Sequence, residues 1–136
     1  MLELVTLQEA YAQLRIDDVD SSGSPDDPWL QMAIPAVSEA VAGWLKDSWR
    51  LYEPELDSVG DVVTDSDGDP VPAEDSSGDK IIRQSVKLAV LIELASQYRF
   101  REGEGDNLVD PSAGHGYTLS RGAVSILTPL RKPTVA

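Results

Sequence analysis

Asp65-Ser66-Asp67-Gly68-Asp69 is the densest run of oxygen ligands in the chain, and hard cations such as calcium want clustered oxygens. The spacing does not make an EF-hand loop: Pro70 stands where the turn glycine belongs, and the twelfth position is Ser76 rather than glutamate. A turn of solvated acids is the favoured reading. His115, the only histidine, lies in Gly114-His115-Gly116. A reacting base has to be held in position, so a loop histidine without a role is expected. No serine-nucleophile motif, phosphate-cradling glycine loop or HExxH accompanies it. Hydrolysis by paired carboxylates needs two acids held face to face, and among 24 Asp+Glu some pair is close by chance. With no cysteine, thiol nucleophiles, disulfides and Cys-based zinc sites are excluded together. The expectation is a chain that is not an enzyme and takes no metal or cofactor.

Two clusters could instead do the chemistry of binding. Trp44, Lys46, Trp49, Arg50 and Tyr52 close one helix, and Tyr98, Arg99, Phe100 and Arg101 close another. Tryptophan, tyrosine and arginine are enriched at interface hot spots. The competing reading is that Trp44 is core and the basic residues cap helix C-termini. Trp49 lies off its helix's apolar stripe and is the better interface candidate.

Charge narrows the partners. The 136 residues carry 11 Lys+Arg against 24 Asp+Glu, a net −13. Such a surface repels phosphate, which excludes sequence-independent grip on DNA or RNA. Glu53 to Asp79 holds ten acids and no Lys or Arg, whereas beyond Asp110 there is no acid but Arg121, Arg131 and Lys132. A basic tip suits an acidic partner or a neighbouring copy of this acidic chain. Met1-Leu2-Glu3-Leu4 has no basic region of a signal peptide, and the longest apolar stretch, Leu88 to Ile92, is far short of a membrane span. The expectation is a soluble, intracellular, acidic single domain that does not engage membranes.

The elements that must position these residues read as mainly α, a small bundle of about four helices. Thr6-Leu7-Gln8-Glu9 is a capping box opening a helix over 6–15. After the linker at 17–26, Asp27-Pro28 starts a helix over 27–49 whose stripe is Leu30, Ile34, Val37, Val41, Trp44 and Leu45. Pro35 should kink or restart it. The loop at 53–79 contains Val62-Val63-Thr64 and Pro70-Val71-Pro72 around an Asp-Gly turn, which is either a short hairpin with an edge arm or a solvated loop. A third helix over 80–101 is apolar on nearly every side and must be surrounded, as the hub of the domain, by another subunit, or both. A loop at 103–118, a helix over 120–130 capped by Ser120 with Pro129 distorting its last turn, and a tail at 131–136 complete one domain. No repeat at a solenoid period is present.

Leu4-Val5-Thr6-Leu7-Gln8-Glu9-Ala10, Leu14-Arg15-Ile16-Asp17 and the acidic linker before a long helix are followed by an Asp-rich loop leading into Ile81 to Leu94. Tyr98-Arg99-Phe100-Arg101 and Gly122-Ala123-Val124-Ser125-Ile126-Leu127 before Pro129-Leu130-Arg131 complete the series. In this order the chain resembles the head-tail connector (adaptor, head-completion) proteins of tailed bacteriophages. It departs from them at Pro35, at Leu130 in place of an aromatic, and in the length of the Gly103 to Tyr117 loop.

The resemblance implies a structural virion protein made in the host cytoplasm. It would form a homo-oligomeric ring, typically a dodecamer, beneath the portal protein, and carry the surface for the tail or stopper neck protein. Duplex DNA would pass through the channel without specific binding. On this basis Arg121, Leu130, Arg131 and Lys132 are candidate contacts to the portal or an adjacent subunit. Trp49, Arg50, Tyr98, Arg99 and Arg101 are subunit-interface candidates, and Asp61, Asp65, Asp67 and Asp69 are channel-lining candidates. An acidic wall would let DNA slide, since attractive phosphate contacts act as brakes. The rival from another class is an acidic DNA mimic or regulatory binding protein; crowding of acids into loops rather than onto ordered faces disfavours it. A calcium-binding module ranks third.

Overall fold

The computed structural model describes residues 1–99 and 119–131. Among them lie four α-helices: α1 (Leu7–Leu14), α2 (Asp27–Leu45), α3 (Gln84–Arg99) and α4 (Arg121–Leu127). Short 3-10 turns follow α2 at Ser48–Leu51 and α4 at Thr128–Leu130. The protein is a small helical bundle with no regular strand among the described residues.

The capping box at α1 forms as the sequence dictates: Glu9 N donates to Thr6 Oγ1 and Thr6 N to Glu9 Oε1, both at 3.1 Å. Arg15 ends the helix in the left-handed region at φ 55°. α2 and α3 run antiparallel, because Trp29 near the start of α2 meets Tyr98 near the end of α3, while Arg83 before α3 hydrogen-bonds Leu51 after α2. α3 is the hub, packed against α1, α2 and α4. Its Val86, Ala89, Val90 and Leu94 are fully buried against Leu30, Val41, Leu45, Ala123 and Leu127. Three neighbours therefore suffice to cover most of the apolar rod, and Leu88 is the large apolar side chain of α3 left exposed. Leu4 N donates to the buried Ser38 Oγ at 3.0 Å, which ties the N-terminal segment onto α2.

Three boundaries differ from those expected. α2 runs unbroken through Pro35 rather than restarting there; the proline removes only one helical donor, and buried neighbours on both sides hold the rod. α2 stops at Leu45, not 49, because Lys46 adopts φ 73°, ψ −58°. Asp47 N bonds back to Leu45 O at 3.0 Å across Lys46, a γ-turn with positive φ that redirects the chain into the 3-10 turn. α3 starts at Gln84, not Lys80, because Lys80 to Arg83 are spent in backbone pairing with the preceding segment. Its expected end at Arg101 falls outside the described residues, as do the loop at 103–118 with His115 and the tail from Lys132.

The segment from Tyr52 to Ile82 is a closed backbone arm rather than a simple hairpin. Glu55 N donates to Val71 O, Val71 N to Val63 O, and Val63 N back to Glu55 O, all at 2.8–2.9 Å. One level nearer the bundle, Glu53 N donates to Ile81 O, Ile81 N to Ala73 O, and Ala73 N to Glu53 O at similar lengths. Each ring passes one hydrogen bond around three chain segments. Every segment thus pairs with two neighbours in turn, which leaves isolated bridges instead of a flat ladder. Pro54, Pro70 and Pro72 occupy positions outside the six ring donors, so their missing N–H groups cost the rings nothing.

Three copies of one turn close the arm: Asp57-Ser58-Val59-Gly60-Asp61, Asp65-Ser66-Asp67-Gly68-Asp69 and Asp75-Ser76-Ser77-Gly78-Asp79. In each, the first aspartate's Oδ1 accepts from the amides two and four residues on, at 2.8–3.0 Å. The glycine takes φ between 82° and 91°, where a side chain would be strained. The Asp-Gly turn expected around Gly68 forms, with Thr64 joined to Pro70 by an isolated bridge rather than by paired strands, and it is one of three such turns.

Candidate interaction surface

Arg50 organises the end of the bundle from which the arm emerges. Its Nε bonds Asp47 Oδ2 at 3.0 Å and its Nη1 donates to Leu130 O at 2.8 Å. The guanidinium carbon stands 4.3 Å from the centre of the Trp49 ring. Beside it, the Arg131 guanidinium lies over Trp44 at 4.4 Å. Trp49 and Arg50, from the 3-10 turn, are thereby brought together with Leu130 and Arg131 from the C-terminal turn. The γ-turn at Lys46 puts them there by ending α2 one turn early. Trp44, whose spacing left core and interface both open, is partly buried against the core and serves as the platform for Arg131. At the arm's root, Lys80 Nζ stands 5.2 Å from the Tyr52 ring.

The remaining candidates are elsewhere. Tyr98 lies at the opposite end, where its hydroxyl donates to Asp26 Oδ2 at 2.9 Å and its ring packs edge-on to Trp29 at 5.5 Å. Arg99 ends α3 at that end, and Arg121 is exposed at the start of α4. Arg101 and Lys132 lie outside the described residues. Asp61, Asp65, Asp67 and Asp69 are all exposed on the arm's turns, but Asp65 is turned inward on its own backbone.

A buried carboxylate that spacing could not single out fixes the C-terminal helix. Glu93 is fully buried on α3. Its Oε2 accepts from Ser120 N at 2.8 Å and its Oε1 from Gln97 Nε2 at 3.2 Å. At the far end, Tyr11 OH donates to Asp27 Oδ1, whose other oxygen accepts from Ser24 N at 3.1 Å. The hydrogen bond to Asp27, then desolvation and the negative charge, push the Tyr11 phenol up to about 12. Burial works to raise the Glu9 carboxyl, but the Thr6 amide and the Lys87 ammonium at 3.3 Å outweigh it and hold it below its usual value.

Among the described residues, no three His, Cys, Asp or Glu side chains gather in a way that could hold a metal ion, and no helix is long and apolar enough to cross a membrane. The described residues also form surface hollows. One, of about 200 Å³, is lined by Trp29, Met32, Ala33, Ala36, Val37 and Gln97. Another, of about 310 Å³, is lined by Ala40, Gly43, Trp44, Leu119 and Arg131, and a third, of about 290 Å³, lies on the arm between Glu55–Leu56 and Val71–Glu74. Leu56, Val59 and Val62 stand exposed on the arm's first hairpin; the threefold Asp-Ser-x-Gly-Asp turn was the signal that could have located them. No protein-family model, curated protein or solved structure matches this chain.

Proposed function

We propose that this protein is a structural subunit of a phage neck, a ring-forming adaptor between the portal and the tail or next neck protein. The observation that carries the reading is the Arg50 clamp on Leu130, at 2.8 Å. It fuses the Trp49–Arg50 pair and the C-terminal Leu130–Arg131 pair into one aromatic and cationic surface at one end of the bundle. Such a surface has the composition of a protein-docking site and the charge to meet an acidic partner. The acidic arm beside it, ten carboxylates without a cation between Glu53 and Asp79, suits a wall past which DNA moves without adhering. In this role the chain binds and positions neighbours and performs no catalysis; it acts in the virion, at the portal vertex, after synthesis in the host cytoplasm.

The test is attachment to portal-bearing heads. Purified protein is expected to add a ring at the capsid vertex, visible in averaged particle images. A chain truncated after Thr128 is expected to attach weakly or not at all. Unchanged attachment of the truncated chain removes the C-terminal contact, and failure of the intact chain to attach removes the adaptor reading.

A further inference from the structure

We infer that the first hairpin of the arm is a plug, and that the hollow over Trp44 and Arg131 is the socket it fills on a neighbouring copy of the same chain. Leu56, Val59 and Val62 are 57%, 79% and 45% exposed and share one hairpin, with Leu56 bridged to Val62 and Val59 at the turn between them. Three aliphatic side chains held on a closed, hydrogen-bonded arm are costly to leave in water, and none of the described residues covers them. The surrounding charges, Glu55, Asp57 and Asp61, are all negative. The Asp61 carboxylate has no partner among the described residues.

The socket is the complement in polarity and sign. Its floor is Ala40, Gly43, Trp44 and Leu119, and its volume of about 310 Å³ has room for aliphatic side chains. Its charged wall is Arg131, whose guanidinium carbon stands 4.4 Å from the centre of the Trp44 ring. A carboxylate arriving with an apolar knob would satisfy that cation while the knob dries the floor. Asp61 beside Val59 and Val62 is such a group.

Plug and socket are different surfaces, so the contact runs head to tail. Such a contact propagates from copy to copy and closes into a ring when the rotation per step permits. The inference deepens the adaptor reading, resting on it only in taking the neighbouring copy as the occupant.

Two chains, each crippled on one side, provide the test. Val59→Asp puts a charge on the plug, and Arg131→Glu reverses the socket. Wild type is expected to form species larger than a dimer at high concentration, measured by light scattering. Each variant alone is expected to stay monomeric, and an equimolar mixture to give a dimer that does not grow, since only one good plug and one good socket remain. A second measurement is independent of any folding defect in Arg131→Glu. The chain has no cysteine, and a side chain added at Gly43 meets nothing within 4 Å. Val59→Cys and Gly43→Cys chains, mixed and mildly oxidised, are expected to form a mixed disulfide dimer in preference to either homodimer.

Assembly by both variants alone, or equal cross-linking of all three cysteine pairings, overturns the plug-and-socket contact and leaves the adaptor reading standing. A wild type that is monomeric at the highest attainable concentration, with no mixed disulfide, overturns it too. Plug-dependent assembly that ignores portal-bearing heads upholds the contact and counts against the adaptor reading alone.

Discussion

Arg50 and Leu130 are 80 residues apart in sequence and joined by one charge-assisted hydrogen bond, Nη1 to carbonyl oxygen, at 2.8 Å. The same guanidinium holds Asp47 and covers Trp49. One side chain therefore locks the turn after α2 to the turn after α4. Replacing it with alanine should cost about 1.5–3 kcal/mol, the range for a hydrogen bond to a charged group, read from urea unfolding. Arg50→Lys should recover little of this, because a lysine cannot present the planar fork to Asp47 and Leu130 together. Limited proteolysis should cut near Leu130 faster in both variants.

Lys46 is exposed, makes no side-chain bond among the described residues, and sits at φ 73°. That region is strained for any residue with a Cβ. Lys46→Gly should raise stability by about 1 kcal/mol by relieving the strain, seen as a higher denaturation midpoint with an unchanged slope. A loss of stability would mean the turn is not strained in solution.

The two hydrogen-bond rings predict an exchange pattern. Amides of Glu53, Glu55, Val63, Val71, Ala73 and Ile81 should exchange slowly with deuterium, while those of Leu56, Val62, Thr64 and Glu74, which donate to no ring, should exchange fast. Val71→Pro should abolish the protection of all three amides in the outer ring, since it deletes a donor each segment depends on. The native prolines at 54, 70 and 72 are compatible with the same pattern.

Alkaline stability should depend on Tyr11. Its phenol is raised from an unfolded value of 10.0 to about 12 by the bond to Asp27. Below pH 10 both states hold the proton and the stabilisation is complete. Between 10 and 12 the folded state binds more protons than the unfolded one, so stability falls as pH rises. Tyr11→Phe should flatten that fall in melting temperature measured across the interval. Glu9 works in the opposite sense: its lowered carboxyl stabilises the fold above the unfolded value of 4.5 and loses that contribution as pH drops through the folded value.

Glu93→Ala should release α4. The substitution strips the Ser120 amide of its acceptor and opens space in a fully buried position. Loss of the hydrogen bond alone should cost about 1.5–3 kcal/mol. Amides of α4 should lose exchange protection before those of α2 do, because α4 is the element the carboxylate anchors.

Periodicity and capping chemistry were enough to mark out the helices and much of the core. The capping box at Thr6, the stripe from Leu30 to Leu45, the apolar middle of α3 and the Ser120 cap are local signals, set by residues within a few positions of one another. The acidic segment's closed arm was only half legible. Its central Asp-Gly turn is a local signal, but each ring joins three segments, and no local pattern tells which carbonyl an amide finds across ten or twenty residues. Nor did spacing separate Trp49 and Arg50, which meet the C-terminal turn, from Tyr98, which lies at the other end. The position of a surface cluster depends on the direction in which antiparallel helices run and on where the γ-turn at Lys46 stops one of them. Residue order alone set what each segment prefers; packing around α3 decided which segments meet, because burial and long-range hydrogen bonds reward contacts that no neighbour in the sequence can provide.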